Sequence, residues 1–300
     1  MRCPSHRRAV LEALLVTFLW STSWILMRIG LREIPALTFA GLRYALAFLV
    51  LLPWLWNARR DVRALSPRDW GWLAALGVVF YALTQGGVFL ALARLEAAPL
   101  SLVLSFTPIL VGLLGLATLH ERATAVQWIG LLLAVGGVVL FFSPASARGG
   151  ALGFALAGLT LCANAAASLL GRAVNRRGVG TPIVVTGISM GAGATILLVV
   201  GLAVQGFPAL SATGWAIVAW LAVVNTAVAF TLWNRTLRVL SAVESSAVNN
   251  TMVVQVAALA WLLLDERMDL LGIVGVLATA VGTTLVQLRR REPRCGRSSV

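Results

Sequence analysis

Amide and hydroxyl side chains recur at one-turn spacing in two apolar stretches of the chain. Ser101 and Ser105 lie four residues apart in the first stretch, as do Ser246 and Asn250 in the second, beside Asn249. Residues four apart share one face of a helix. Such a face can bind the carboxylate and the ammonium of a small molecule, because amides donate and accept hydrogen bonds. Packing between helices is the alternative, which the sequence leaves open for the serines, whereas it favours binding for the two asparagines.

A second set of candidates combines aromatic rings with further amides. Aromatic rings stack on apolar or aromatic ligands, and amides orient them, which is the mixture typical of a small-molecule site. Tryptophan also anchors helices at membrane interfaces, but the two tryptophans of this set lie deeper in their segment. We expect the set to line a substrate cavity: Trp20, Trp24, Tyr81, Gln85, Asn164, Asn225 and Gln255.

Arg43 is the one arginine well inside an apolar stretch. An ionic side chain at such a place is a functional candidate by default and could attract a substrate carboxylate. It lies only about a third of the way along its segment, however, and the corresponding residue of the second repeat described below is Ile188. We therefore expect a structural role, in which the side chain snorkels outward or bonds the helix-end carbonyls of a neighbour.

The residue types exclude most catalytic chemistry. His6 and His120 are the only histidines, and the three cysteines are dispersed, so the sequence predicts neither a metal site nor a cofactor. An intramembrane enzyme acting on lipids would need an acid or a histidine to activate its nucleophile, and none lies in the middle of an apolar stretch. A channel is disfavoured because rings of charge are missing. The same lack of a central carboxylate argues against proton coupling through a buried acid.

The elements that must position these candidates are membrane-spanning helices. The chain is 59% apolar and only 12% charged, which lies far outside the range of a soluble globular protein. A spanning helix needs about 20 apolar residues. We predict an all-α integral membrane protein with ten transmembrane helices, at 9–29, 36–56, 70–93, 97–119, 124–142, 150–171, 181–205, 213–234, 243–264 and 270–288.

The chain contains one building block twice. Residues 95–122 match residues 240–267 without a gap, at an offset of 145. Five helices per copy is an odd number, so the second copy must enter the membrane from the opposite face. The sequence thus predicts two inverted five-helix repeats, an arrangement that secondary transporters use to expose one midplane site to either side. The predicted divisions are a tail at 1–8, a first repeat at 9–142, a connector at 143–148, a second repeat at 149–288 and a basic tail at 289–300.

The arginines are distributed unequally between the two predicted membrane faces. Of the 24, 18 fall in the tails and in alternate connections that share one face, and five fall on the other. Basic residues collect in cytoplasmic loops, so both termini should be cytoplasmic. The net charge of +13 is therefore a topology signal, and no nucleic-acid partner is expected. Exclusive use of arginine over lysine favours a bacterial source, and hence the bacterial inner membrane.

Several motifs together resemble a known family. They are WSTSW at Trp20–Trp24, Arg43, AAPLSLVLSFTP at Ala97–Pro108, and the paired HER and DER ends at His120–Arg122 and Asp265–Arg267. In this order they look like the EamA-type transporters of the drug/metabolite transporter superfamily. The chain is similar to YddG-type exporters in particular, which implies efflux of amino acids, aromatic ones included. Multidrug or other metabolite export stays an alternative, whereas sugar phosphates and nucleotide sugars would want more cations at midplane.

Overall fold

The structure, a computed structural model, describes residues 6–107, 109–111, 124–141, 150–236, 240, 242–266 and 268–287. All regular secondary structure in these residues is helical, and each predicted segment overlaps one of the main helices in its described part. A short additional helix, Arg59–Arg63, follows α2. The ten main helices are α1 His6–Gly30, α2 Ala36–Asn57, α3 Pro67–Leu92, α4 Ala97–Leu104, α5 Ala125–Phe141, α6 Ala151–Arg176, α7 Pro182–Gln205, α8 (the continuous segments Ala212–Ala222, Val223–Val228 and Ala229–Thr236), α9 Ala242–Leu263 and α10 Leu270–Gln287.

The helix ends follow local sequence signals. Pro67 and Pro182 occupy first-turn positions, where a missing N–H costs nothing. Ser66 and Ser211 cap α3 and α8, since each hydroxyl oxygen accepts a backbone N–H of the first turn, at 3.2 and 3.0 Å. Gly206 ends α7 with a φ of 73°, which glycine adopts without strain.

Five helices of the described residues are long and apolar enough to cross a membrane, namely α1, α2, α3, α7 and the Ala151–Gly171 part of α6. They have 21 to 26 residues, or about 31 to 39 Å at 1.5 Å per residue. A bilayer core is about 30 Å thick. Leu132 and Val204 are 71% and 73% exposed, and many other large apolar side chains also face outward. Such a surface fits a lipid environment.

Helices α5 and α10, which are counterparts in the repeat, pack against each other at glycines. A Cβ atom on Gly137 would lie 2.6 Å from the carbonyl oxygen of Gly275, and one on Gly282 would lie 2.6 Å from that of Gly130. The offset of 145 converts the first pair into the second. The two helices therefore run antiparallel about a local two-fold relation, in contact too close for larger side chains.

Helices α2 and α7, also counterparts, pack in the same way. The backbone of Gly41 faces that of Leu198, and the backbone of Gly201 faces that of Thr38, so these helices are antiparallel too. The remaining contacts repeat the relation, because α1 packs on α8 and α9 while α6 packs on α3 and α4. The contacts of α1 with α8 and α9 in this way correspond to those of α6 with α3 and α4.

Helices α3 and α8 each contain a π-helical segment in their middle. The segments are Gly77–Gln85 and Val223–Val228, and the offset of 145 places the second within the first. In each segment a threonine hydroxyl donates to the carbonyl five residues earlier, Thr84 to Val79 and Thr226 to Leu221, both at 2.8 Å. π-helical turns are rare and frequently occur at functional sites. The sequence prediction did not include them.

Candidate functional site

A cluster of hydroxyls and one amide joins α1 to α9. The hydroxyl of Ser21 donates to Gln255 Oε1 at 2.9 Å, and Gln255 Nε2 donates to Thr251 Oγ1 at 3.1 Å and to Thr17 Oγ1 at 3.4 Å. Thr17 and Ser21 are buried, and Gln255 is partly buried. We call these four residues the glutamine cluster. The sequence prediction named only Gln255, although the spacing of four between Thr17 and Ser21 was a usable signal.

Asn225 lies fully buried in the π-helical segment of α8. Its amide nitrogen donates to the carbonyl oxygen of Leu19 and, at 3.2 Å, to Thr22 Oγ1, both on α1. Its amide oxygen is buried and has no hydrogen-bond partner among the described residues. A buried acceptor without a donor is costly, so this oxygen is a candidate ligand contact.

Aromatic rings lie beside these polar groups. The ring of Trp20 contacts those of Phe230 and Trp233 on α8, with centroids 5.4 and 5.2 Å apart. Trp24, one turn along α1, is buried in the main hydrophobic core. Trp233 was not in the predicted set, yet it shares the ring cluster of Trp20.

Two tyrosines and a glutamine join α2 to α3. Tyr44 donates its hydroxyl to Gln85 Oε1 at 2.8 Å, and its ring lies 5.4 Å from that of Tyr81, centroid to centroid. Both tyrosines are buried. Tyr81 and Gln85 belong to the π-helical segment of α3, as the predicted spacing requires, whereas Tyr44 was missed.

Arg43 is buried between α1, α2 and α8, with 5% of its surface exposed. Its Nε donates to Thr226 Oγ1 at 3.2 Å, and one terminal nitrogen donates to the sulfur of Met27 at 3.2 Å. The expectation that Arg43 snorkels outward is wrong, because the side chain lies inside the bundle. Among the described residues no helix-end carbonyl accepts a hydrogen bond from it either.

The other predicted residues whose side chains are described are not drawn into these clusters. Ser101 and Ser105 are buried, and each hydroxyl donates to a carbonyl of its own helix, at 2.9 and 2.7 Å. Asn164 donates to Thr107 Oγ1 at 3.0 Å and joins α6 to α4. Asn249 is half-buried on α9. The side chains of Ser246 and Asn250 lie outside the described part of the chain.

The described residues of the loops at 31–35, 93–96, 206–211 and 264–269 meet at one end of the molecule, which we call the cap end. Here side chains of one copy hold backbone groups of the other. Glu266 accepts the N–H groups of Ala97 and Ala98 at the start of α4, at 2.8 and 3.2 Å. Burial raises the pKa of the Glu266 carboxyl, and these two hydrogen bonds oppose the rise.

Two further side chains cross between the copies at the cap end. Gln205 Oε1 accepts the N–H of Leu37 at 2.8 Å, and Glu33 accepts both the backbone N–H and the hydroxyl of Ser211. A polar cavity of about 340 Å³ lies beside Glu266. Its lining residues are Arg28, Leu31, Arg32, Ala93, Glu96, Leu264, Asp265 and Glu266.

At the opposite end the described contacts between the copies are of other kinds. The hydroxyl of Thr181 donates to Asp61 at 3.4 Å, and the guanidinium of Arg177 lies 4.1 Å from the ring centroid of Trp72. In the described part of the chain no three His, Cys, Asp or Glu side chains are grouped closely enough to hold a metal ion. The chemistry available at the centre is therefore hydrogen bonding, ring contact and the charge of Arg43.

Comparison with known proteins gives a consistent family. Residues 7–143 and 151–288 each match the EamA-like transporter family. An uncharacterized transporter of Synechocystis sp. is 28% identical over 298 residues, covering 91% of this chain and 88% of that protein. An uncharacterized protein of Pseudomonas aeruginosa is 28% identical over 302 residues, covering 98% of each.

A solved crystal structure shares the fold. Its TM-score is 0.64 at 19% identity, and the alignment covers 93% of this chain and 96% of the other. The family and the name of the Synechocystis relative indicate a membrane transporter rather than an enzyme. The two matched stretches coincide with the two copies recognised in the sequence, and the chain belongs to the EamA-like transporter family.

Proposed function

We propose that this transporter exports amino acids, neutral and aromatic ones included, or closely related small metabolites, by alternating access between its two copies. The observation that carries the proposal is the antiparallel packing of equivalent helices, α2 on α7 and α5 on α10. A site between inverted copies faces one side or the other as the copies exchange conformations. The family supports transport itself, and the polar and aromatic groups at the centre support the substrate class.

The proposed membrane arrangement has ten spans with both termini in the cytoplasm of a bacterial cell, across the inner membrane. The antiparallel counterparts support an inverted second copy. The distribution of arginine supports the orientation, because 18 of the 24 lie in the tails and connections of one predicted face. The cap end is then the outer end of the molecule.

The substrate class follows from groups that meet along α1. The amides of Asn225 and Gln255 orient polar groups, and the rings of Trp20, Phe230 and Trp233 supply a surface on which an aromatic side chain can stack. A small site with few, well-placed polar groups suits a molecule of amino-acid size.

Alternating access requires that each end close in turn. At the cap end, Glu33, Gln205 and Glu266 hold backbone groups of the opposite copy, so moving the copies apart at this end must break these hydrogen bonds. In the described part of the chain Glu12 is the acidic residue that lies inside a spanning helix, as the seventh residue of α1, and the others lie at helix ends or in connections. Coupling through a carboxylate at midplane therefore has no support. Export would be driven by the concentration gradient of the substrate or coupled through the substrate's own charge.

The test is an uptake panel in proteoliposomes with neutral, charged and aromatic amino acids, repeated with multidrug substrates. Trp20→Ala and Asn249→Ala should each lower the uptake of accepted amino acids at least several-fold. Trp54→Ala removes an exposed tryptophan at the end of α2 and serves as the matched control. Uptake of drugs but of no amino acid would replace the proposed substrate class. Unchanged uptake in both variants would contradict the proposed site.

A further inference from the structure

We propose that Arg43 is a specificity-determining residue that binds the carboxylate of the transported molecule. The proposal rests on the proposed function and adds to it a requirement on the substrate, which must carry an anionic group. It also assigns the buried oxygen of Asn225 to the substrate ammonium.

The burial of Arg43 separates it from every other arginine in a described position. It lies on the eighth residue of α2 with 5% of its surface exposed, whereas the described side chains of the remaining arginines are at least partly exposed. Removing a guanidinium from water is unfavourable unless other groups replace the lost hydration. A chain that keeps such a group has to satisfy it with protein groups or with a ligand.

The partners of Arg43 are neutral and few. A guanidinium has five N–H donors, and the described acceptors are the hydroxyl oxygen of Thr226 and the sulfur of Met27, a weak acceptor. The ring centroid of Tyr44 lies 5.2 Å from the guanidinium carbon of Arg43. Arg28 offers a contrast, since its guanidinium donates at 2.6 Å to the carbonyl oxygen of Leu92, a bond typical of a structural arginine.

No carboxylate of the described residues lies within salt-bridge distance of Arg43. The salt bridge that the described residues do form joins Arg8 to Glu12 on α1. Three acids have side chains that the structure does not describe, Glu121, Glu244 and Glu292, and in the sequence they lie near predicted segment ends or in the tail, whereas Arg43 lies inside a segment. An external anion is thus the partner of opposite charge that the bundle itself does not supply to Arg43. Arginine binds carboxylates through two parallel hydrogen bonds, which makes it selective for that group.

The surroundings of Arg43 allow an anion to replace a present contact. Met27 has a flexible thioether side chain that adapts to new packing. Thr226 belongs to the π-helical segment of α8, and its hydroxyl proton is already donated to Leu221, so its oxygen holds Arg43 as an acceptor only. We infer that Met27 yields to the carboxylate while Thr226 keeps Arg43 in position.

Asn225 precedes Thr226 and completes the subsite. Its amide oxygen is the buried acceptor without a described donor, and an ammonium group carries three donors. Two consecutive residues of one π-helical segment thus have complementary roles. Asn225 offers an acceptor for the ammonium, and Thr226 holds Arg43, which binds the carboxylate. An amino acid carries an ammonium and a carboxylate, which are the two groups that the Asn225 oxygen and the Arg43 guanidinium can bind.

The experiment compares phenylalanine with phenylalaninamide, which lacks the negative charge, in proteoliposomes. Wild type should transport phenylalanine at least ten-fold faster than the amide. Arg43→Gln should lower phenylalanine transport at least ten-fold and leave the amide unchanged, while Arg43→Lys should retain part of the preference. Arg59→Gln, at an exposed arginine, is the control and should change neither rate.

Equal losses for both substrates in Arg43→Gln would show a structural role and overturn the inference, as would equal rates in wild type. A measurement on the wild-type protein keeps the test valid if the variant does not fold. Phenylpropionate, which has the carboxylate alone, should compete with phenylalanine more strongly than phenethylamine, and the reverse order would refute the assignment. Absence of any phenylalanine transport by wild type would instead contradict the proposed function.

Discussion

Replacing Glu266 by alanine should open the cap end of the molecule. The carboxylate accepts two N–H groups at the start of α4, and the variant leaves both donors of Ala97 and Ala98 without that partner. A hydrogen bond to a charged group contributes about 1.5–3 kcal/mol net, and the buried position of the carboxylate offsets part of the sum. We estimate a loss of about 2–2.7 kcal/mol for the closed state, or roughly a 30- to 100-fold rise in the open fraction.

The assay measures the accessibility of a cysteine beneath the cap. Ala97 is fully buried, so a cysteine there reacts with a maleimide that does not cross membranes only when the cap end opens. The background lacks Cys3, Cys162 and Cys295. While the closed state dominates and opening is fast, the labelling rate is proportional to the open fraction. It should rise roughly 30- to 100-fold in Glu266→Ala, and less in Glu266→Gln, which keeps one carbonyl oxygen as an acceptor.

Asp269→Ala is the matched control for Glu266. Asp269 lies in the same loop and accepts an N–H, but that N–H belongs to Gly272 of its own helix at 2.7 Å and not to the opposite copy. Labelling of this variant should stay close to that of the parent protein. An unchanged rate in Glu266→Ala, or an equal rise in Asp269→Ala, would refute the idea that the contact between the copies closes this end.

Three further predictions concern packing, the glutamine cluster and pH. Gly137→Val should lower the free energy of unfolding by about 1–3 kcal/mol, because the new side chain meets α10. Gly136→Val is the control and should not lower it, because Gly136 has open space around it. Thermal unfolding in detergent measures both variants, and equal effects would contradict the packing. Gln255→Leu should reduce amino-acid uptake more than ten-fold, because it removes the amide of the glutamine cluster. Trp261→Leu changes an exposed residue of the same helix and should not reduce uptake. Equal uptake rates in the two variants would argue against a role of the cluster in transport. The raised pKa of Glu266 means that the folded protein holds this proton more tightly than the unfolded chain. The contribution of Glu266 to stability is therefore largest at low pH and declines as pH rises through the pKa of the folded state. Glu266→Gln should flatten that part of the curve of Tm against pH, and an unchanged slope would contradict the assignment.

The helices were predictable because their signals are local. Proline at 67 and 182 and glycine at 206 mark ends that the structure retains, and the offset of 145 identified the counterparts that pack against each other. The positions of α3 and α7 therefore followed from the length of their apolar stretches and from these residues at their ends. The π-helical segments did not, because a bond to the carbonyl five residues back leaves no mark in the apolar pattern.

The candidate site was predictable only in part, because its partners lie far apart in sequence. Spacing placed Ser101 and Ser105 on one face, but a hydroxyl can bond its own helix backbone, and both do. Glu266 looked like an ordinary helix-end acid, since its partner Ala97 lies 169 residues away. Arg43 looked able to reach the interface, and only the packing of α1, α2 and α8 around it shows that it does not.

A counterflow measurement tests most directly the claim that inverted copies carry a substrate across the membrane. Proteoliposomes are loaded with unlabelled phenylalanine and diluted into a trace of labelled phenylalanine. A carrier with one site exposed to either side in turn should accumulate label transiently above its equilibrium level, and Gln255→Leu should abolish the overshoot. Entry of label that rises smoothly to equilibrium, as through a channel, or no entry above that of protein-free liposomes, would contradict the account.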